Sequence, residues 1–124
     1  MTCLSLEAGA TISLYRGQDL TLLLSVKDPA GAAITLAGAV VYFTVATIPE
    51  GIPVITKTSN AVLEIKVLAP ATAGQAEIYL LPADTSGLDS AIYAYDAWVQ
   101  VASGKRYPVV PPGQFIVGPR VTVL

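Results

Sequence analysis

Apolar and polar residues alternate in short runs along this chain, and turn-forming residues cut the runs at short intervals. That pattern leaves no room for a long helix or for the continuous apolar strands of a parallel sheet. The clearest run is Ala91 to Val101. Tyr93, Tyr95, Ala97, Val99 and Val101 share one face of it, and Ile92, Ala94, Asp96, Trp98 and Gln100 share the other. Leu20, Leu22, Leu24 and Val26 form a second stripe, opposite Thr21, Ser25 and Lys27, with Leu23 breaking the polar face. Thr11 to Tyr15, Val40 to Thr47 and Gln75 to Leu81 read as further strands. Val54 to Thr58 and Val62 to Val67 predict a hairpin around Ser59-Asn60, with Leu63, Ile65 and Val67 on one side of its second arm. Ser103-Gly104-Lys105 predicts a tight turn into Arg106 to Val110. Gln114 to Val117 and Val121 to Leu124 complete the chain between prolines. Only Pro82 to Leu88 suits a turn of helix.

Seven or eight such strands in 124 residues fit one all-β domain over residues 1–124, an immunoglobulin-like antiparallel β-sandwich. Residues 1–10 read as a short N-terminal lead. Residues 107–124 read as an extended apolar segment whose prolines (108, 111, 112 and 119) keep it off its own domain, an arm for a neighbour.

One stretch competes with this reading. From Pro29 to Pro49 no residue is charged, and the stretch is long enough to cross a bilayer as a helix. Asp28-Pro29-Ala30-Gly31 is turn chemistry, however, and Val40-Val41-Tyr42-Phe43-Thr44-Val45 is β-branched and aromatic, so a turn followed by a strand is expected instead. Charged residues are nevertheless scarce, at 13% against roughly 25% in a typical soluble domain. A surface that poor in charge points to neighbours covering part of it.

The net charge of −2, with no basic run longer than Lys105-Arg106, argues against nucleic acid and anionic membranes as partners. Cys3 is the lone cysteine and forms no internal disulfide, so the fold does not depend on an oxidising compartment. The first residues lack the basic start and apolar core of a signal peptide, and synthesis and retention in the cytoplasm are expected. The chain has no histidine, which excludes Ser-His-Asp and Cys-His catalysis and histidine metal sites. Cys3 sits near the start without a neighbouring base. Gly31, Gly38, Gly51 and Gly104 fall singly in turns rather than in a phosphate loop. Asp84 and Asp89 flank Thr85-Ser86-Gly87 in a spacing that would suit calcium; a turn cap at Asp84 and a solvated Asp89 is the expected reading. No enzyme, cofactor or metal is therefore expected.

Trp98 has two readings that the sequence leaves open: a core tryptophan, or an outward contact residue beside Asp96 and Gln100. Tyr93 or Tyr95 suits a tyrosine corner, its hydroxyl tied to upstream backbone.

Several segments resemble the N-terminal domain of phage baseplate upper proteins. Arg16-Gly17-Gln18-Asp19 is similar to that family's "RG(D/Q)D" turn, and Val26-Lys27-Asp28-Pro29-Ala30-Gly31 to its "V-K-D-x-x-G" turn. Leu36-Ala37-Gly38-Ala39-Val40-Val41-Tyr42-Phe43-Thr44-Val45 resembles its third strand. Gly74-Gln75-Ala76-Glu77-Ile78 and the "Y-x-Y-D" of Tyr93 to Asp96 resemble later strands, and Phe115-Ile116-Val117 stands where that family closes its sheet. The resemblance spans Ile12 to Leu124, and the longer region that follows the domain in that family has no counterpart in this sequence. It implies a non-enzymatic structural protein of the virion (tail or baseplate, neck or head decoration), made in the host cytoplasm, that binds itself and other phage structural proteins. Trp98, Tyr107, Phe115 and Val117 are the candidate interface residues. The alternative function is a carbohydrate- or receptor-binding, adhesin-like module, with Trp98, Tyr79 or Tyr107 lining a groove.

Overall fold

The computed structural model describes residues 11–28, 30–48, 50–61 and 63–121, with the backbone alone for 3–6. Among the described residues nine strands form two sheets. One sheet takes β1 (Cys3–Leu6), β3 (Leu20–Ser25), β7 (Gln75–Leu80) and β6 (Ile65–Val67), in the order β1-β3-β7-β6. The other takes β2 (Ile12–Tyr15), β9 (Arg106–Gly118), β8 (Ala91–Gln100), β4 (Val40–Ala46) and β5 (Pro53–Thr58), in the order β2-β9-β8-β4-β5. Pairing is antiparallel except at β1 with β3 and β2 with β9. A short helix, α1 (Pro82–Ser86), joins β7 to β8. The predicted all-β, immunoglobulin-like sandwich is the observed fold, and its middle strand β4 lies within the uncharged stretch. Among the described residues no helix is long and apolar enough to cross a membrane.

The alternation decides which side chains meet between the sheets. Leu20, Leu22 and Leu24 of β3 and Ala76, Ile78 and Leu80 of β7 face Val41, Phe43 and Val45 of β4 and Tyr93, Tyr95, Ala97 and Val99 of β8, all buried. A slip of one residue in any of these strands would turn its whole apolar set outward, so burial fixes the register. Tyr93 forms the expected tyrosine corner: its hydroxyl donates to the Asp89 carbonyl at 2.8 Å. Two residues on, where disulfide-bearing sandwiches carry a cysteine, Tyr95 packs its ring against Phe43 with centroids 5.7 Å apart. The two rings belong to neighbouring strands of one sheet and are both buried against the other.

Burial pushes the Tyr95 phenol above its ordinary pKa of 10.0. An unfolded tyrosine ionises near pH 10 and the folded one only above it. The stability from this group is therefore complete below about pH 10 and is lost as pH rises through the folded-state value. Urea midpoints should stay level between about pH 7 and pH 9 and fall above about pH 10. Tyr95→Phe should remove part of that alkaline fall; an unchanged profile in the variant would rule the mechanism out.

Four expectations are corrected. Residues 1–10 are not merely a lead, because Cys3–Leu6 adds a strand beside β3. Val54–Thr58 and the segment after it are not a hairpin: β5 is the edge of one sheet and β6 belongs to the other, so the chain crosses the sandwich between them. Leu63 consequently lies outside the core, 83% exposed, while Ile65 is buried. The segment from residue 107 is no free arm, since β9 runs unbroken to Gly118 between β8 and β2. Phe115 and Val117 are accordingly core residues at 0% and 2% exposure, not interface residues. The predicted strand from Val121 to Leu124 falls mostly outside the described residues.

Candidate functional site

The outer face of the five-stranded sheet carries a groove of about 640 Å³. Thr44 and Ala46 of β4 and Ala94, Asp96 and Trp98 of β8 form its floor, because they are the outward members of strands whose other residues are buried. Pro108, Pro111 and Pro112 of β9 make one wall, and the β4–β5 loop with Ile48, Glu50 and Gly51 makes one end. Glu50 adopts a left-handed φ of 60°, in a turn closed by the Gly51 N–H on the Ile48 carbonyl at 2.8 Å.

The prolines are explained by pairing. Among the described residues β2 meets β9 only from Phe115 onward, and none of them pairs with the outer edge of the earlier half of β9. On its other side, the β8–β9 register shifts on both flanks of Ala97. Proline has no N–H to give a ladder and is tolerated at such edges and bulges. The same residues deny a foreign strand the donors it would need to add there.

Trp98 settles on the outward side, 40% exposed, and is not a core tryptophan. Its indole N–H donates to Asp96 Oδ2 at 3.1 Å, which holds the ring upright on the sheet. Tyr42 of β4 and Pro108 of β9 stand opposite it in register, so a polar–apolar stripe crosses the sheet. Tyr107 is exposed at 47% but lies toward the β8–β9 turn, outside the groove. Tyr79 belongs to the other sheet, where its hydroxyl donates to Glu77 Oε1 at 3.3 Å. Trp98, Tyr79 and Tyr107 thus do not gather in one groove. Sequence reasoning missed Glu50 and the proline wall; the available signal was a Pro-Pro pair inside an otherwise strand-like run.

Glu50 and Asp96 lie in the groove, toward the β4–β5 loop. The β8–β9 turn at the far end carries exposed Lys105 and Arg106, with Arg106 Nε donating to Gln100 Oε1 at 3.3 Å. Asp84 is the turn cap expected of it: it accepts the Leu81 N–H at 2.7 Å. Unforeseen is its ion pair with Lys57 Nζ, also at 2.7 Å. Asp89 is exposed, and among the described residues no three cysteines or carboxylates gather as a metal would require.

No protein-family model and no curated protein matches the sequence. Among solved structures, the cysteine protease inhibitor EhICP2 from Entamoeba histolytica aligns over 96% of this chain and 94% of that chain, with 13% identity and a TM-score of 0.47. Murine CRIg aligns over 90% of this chain and 92% of that chain, with 15% identity and a TM-score of 0.36.

Proposed function

We propose that this chain is a non-enzymatic structural subunit of a bacteriophage particle, and that it docks head to tail onto further copies of itself through the outer face of its five-stranded sheet. The observation that carries the reading is the groove that runs from Trp98 to an acidic end at Glu50 and Asp96, with the exposed Lys105-Arg106 turn beyond Trp98 at the other end of the sheet. The turn of one copy complements the Glu50 and Asp96 end of the next. Head-to-tail contacts generate rings or filaments rather than closed dimers, which suits a particle component. The resemblance to baseplate upper proteins and the low charge content support the same reading.

Trp98 is the anchor expected of such a face: aromatic, rigid and ringed by small or proline side chains. Trp98→Ala should weaken self-association roughly 30-fold, as loss of about 2 kcal/mol at a hot spot does. Its unfolding midpoint should stay within about 1 kcal/mol of the parent, because the side chain is outside the core. Sedimentation velocity reads the first and urea denaturation the second. Lys105→Glu with Arg106→Glu should abolish association, and mixing that variant with an Asp96→Lys, Glu50→Lys variant should restore it. A parent protein that sediments as a monomer at high concentration, and that antibody labelling does not find on purified particles, would overturn the proposal.

The carbohydrate-binding alternative retains one favourable observation, an exposed indole beside two carboxylates. Glycan-array binding that disappears in Trp98→Ala would favour it over the structural reading.

A further inference from the structure

We infer that the concavity between the Arg16–Gln18 turn and residues 119–121 is an oxyanion site, built from two guanidinium groups and taking a carboxylate or a phosphate. It has a volume of about 470 Å³ and lies on a different part of the surface from the Trp98 groove. The turn after β2 is pinned from both sides. The Arg16 N–H donates to the Gly118 carbonyl at 3.1 Å, and the Gly17 N–H donates to Thr85 Oγ1 at 2.9 Å, on a side chain of α1 that is fully buried. Gly17 has φ +78°, and the head of Arg120 lies where a Cβ at that position would stand. Only glycine admits both the backbone angle and the overlying guanidinium.

Each arginine is fixed by a single bond to backbone. Arg16 Nη2 donates to the Ser86 carbonyl at 3.0 Å, and Arg120 Nη1 donates to the Arg16 carbonyl at 3.2 Å. Neither meets a carboxylate: the ion pair among the described residues is Lys57 with Asp84. Arg16 Nε is closed off from solvent with no acceptor at all. Arg16 and Arg120 thus both line the concavity, each partly buried and neither with a counter-charge among the described residues, an arrangement that costs free energy until an anion joins it. Gln18 adds a third donor. Its Oε1 accepts the Tyr15 N–H at 2.9 Å, which leaves its amide NH₂ as the free end beside the arginines. Planar forks of this kind match the two oxygens of a carboxylate or phosphate.

The experiment uses inorganic phosphate, and acetyl-aspartate amide as the carboxylate probe, each titrated to about 50 mM at constant ionic strength balanced with chloride. The thermal midpoint should rise with at least one of the two, and the probe that raises it identifies which oxyanion the site takes. Arg120→Gln should weaken that response roughly tenfold, the loss of one charge-assisted contact. Lys66→Gln, which removes the same single charge from an exposed position on the other sheet, should leave it unchanged. No response to either probe, or a response as large in Arg120→Gln as in the parent, would overturn the site. Should Arg16→Gln fail to fold, the Arg120 variant still decides. Because monomeric protein suffices, failure of the head-to-tail reading leaves this result independent.

Discussion

Asp84→Ala should cost about 3 kcal/mol or more, whereas Lys57→Met should cost far less, although the two residues are partners in one ion pair. The asymmetry follows from burial. Lys57 alternates inward with Ile55 on β5, and its side chain is 6% exposed, whereas that of Asp84 is 20% exposed. Removing the carboxylate strands an ammonium between the sheets with no counter-charge. It also removes the acceptor of the Leu81 N–H, a cap worth roughly 1 kcal/mol. Removing the ammonium instead leaves a carboxylate that still accepts the Leu81 N–H and still reaches water, and methionine fills most of the space of the lysine stem. The double variant Lys57→Met, Asp84→Ala should recover much of the loss. Urea midpoints of the three variants test this; equal losses in the two single variants would show that burial is not what sets the cost. The pair also matters to architecture, since it fastens the edge strand β5 to α1.

That pair shows what alternation makes legible and what it does not. Period two sorts the residues of β3 and β8 into the two faces the structure shows, because burial tolerates no slip of register; it leaves open which face of β8 turns inward, and for β4 and β7 it gives the strand alone. It also places Lys57 inward, and a charge at an inward position is itself a sign that a partner must exist. The identity of the partner was hidden, because Lys57 and Asp84 come together only once the strands are stacked. The same limit explains the mistaken hairpin. Alternation says which residues of Val54 to Val67 face a core, not which sheet they join, and the Glu64 carboxylate that accepts the Thr58 N–H at 3.0 Å is no turn signature. Residues 106–118 were misread for a different reason. Prolines usually end strands, but here they sit along an edge of β9 that no described residue pairs with, and the strand runs on to leave Phe115 and Val117 in the core. For Trp98 the decisive fact was its company: Asp96 and Gln100 share its face, and burying a carboxylate without a cation costs more than exposing an indole. The Arg16–Arg120 site joins positions separated by nearly the whole chain, beyond the reach of local pattern.

The largest effect of a single methyl group is expected at Gly74. This residue leads from the Ala71–Ala73 turn into β7, with φ +67°, and its carbonyl accepts the Val26 N–H at 2.7 Å. A Cβ at this position would stand 2.6 Å from the Ile34 carbonyl oxygen and 2.8 Å from that of Val26. Both are backbone atoms already committed to the fold, since Ile34 donates its own N–H to the Val26 carbonyl at 3.0 Å. No rotamer change can relieve the overlap, so Gly74→Ala combines left-handed strain of about 1–2 kcal/mol with overpacking of about 1–3 kcal/mol. A loss of about 2–5 kcal/mol is expected, a large share of the roughly 5–15 kcal/mol available to a domain. Gly104→Ala supplies the control. Its φ is +90° and nothing lies within 4 Å of the added carbon, so it should pay the conformational term alone. If urea denaturation finds the two variants equally destabilised, the close approach of the Val26–Ile34 segment to β7 contributes nothing. In that case the entry into β4, and with it the floor of the Trp98 groove, must be held in place by other contacts.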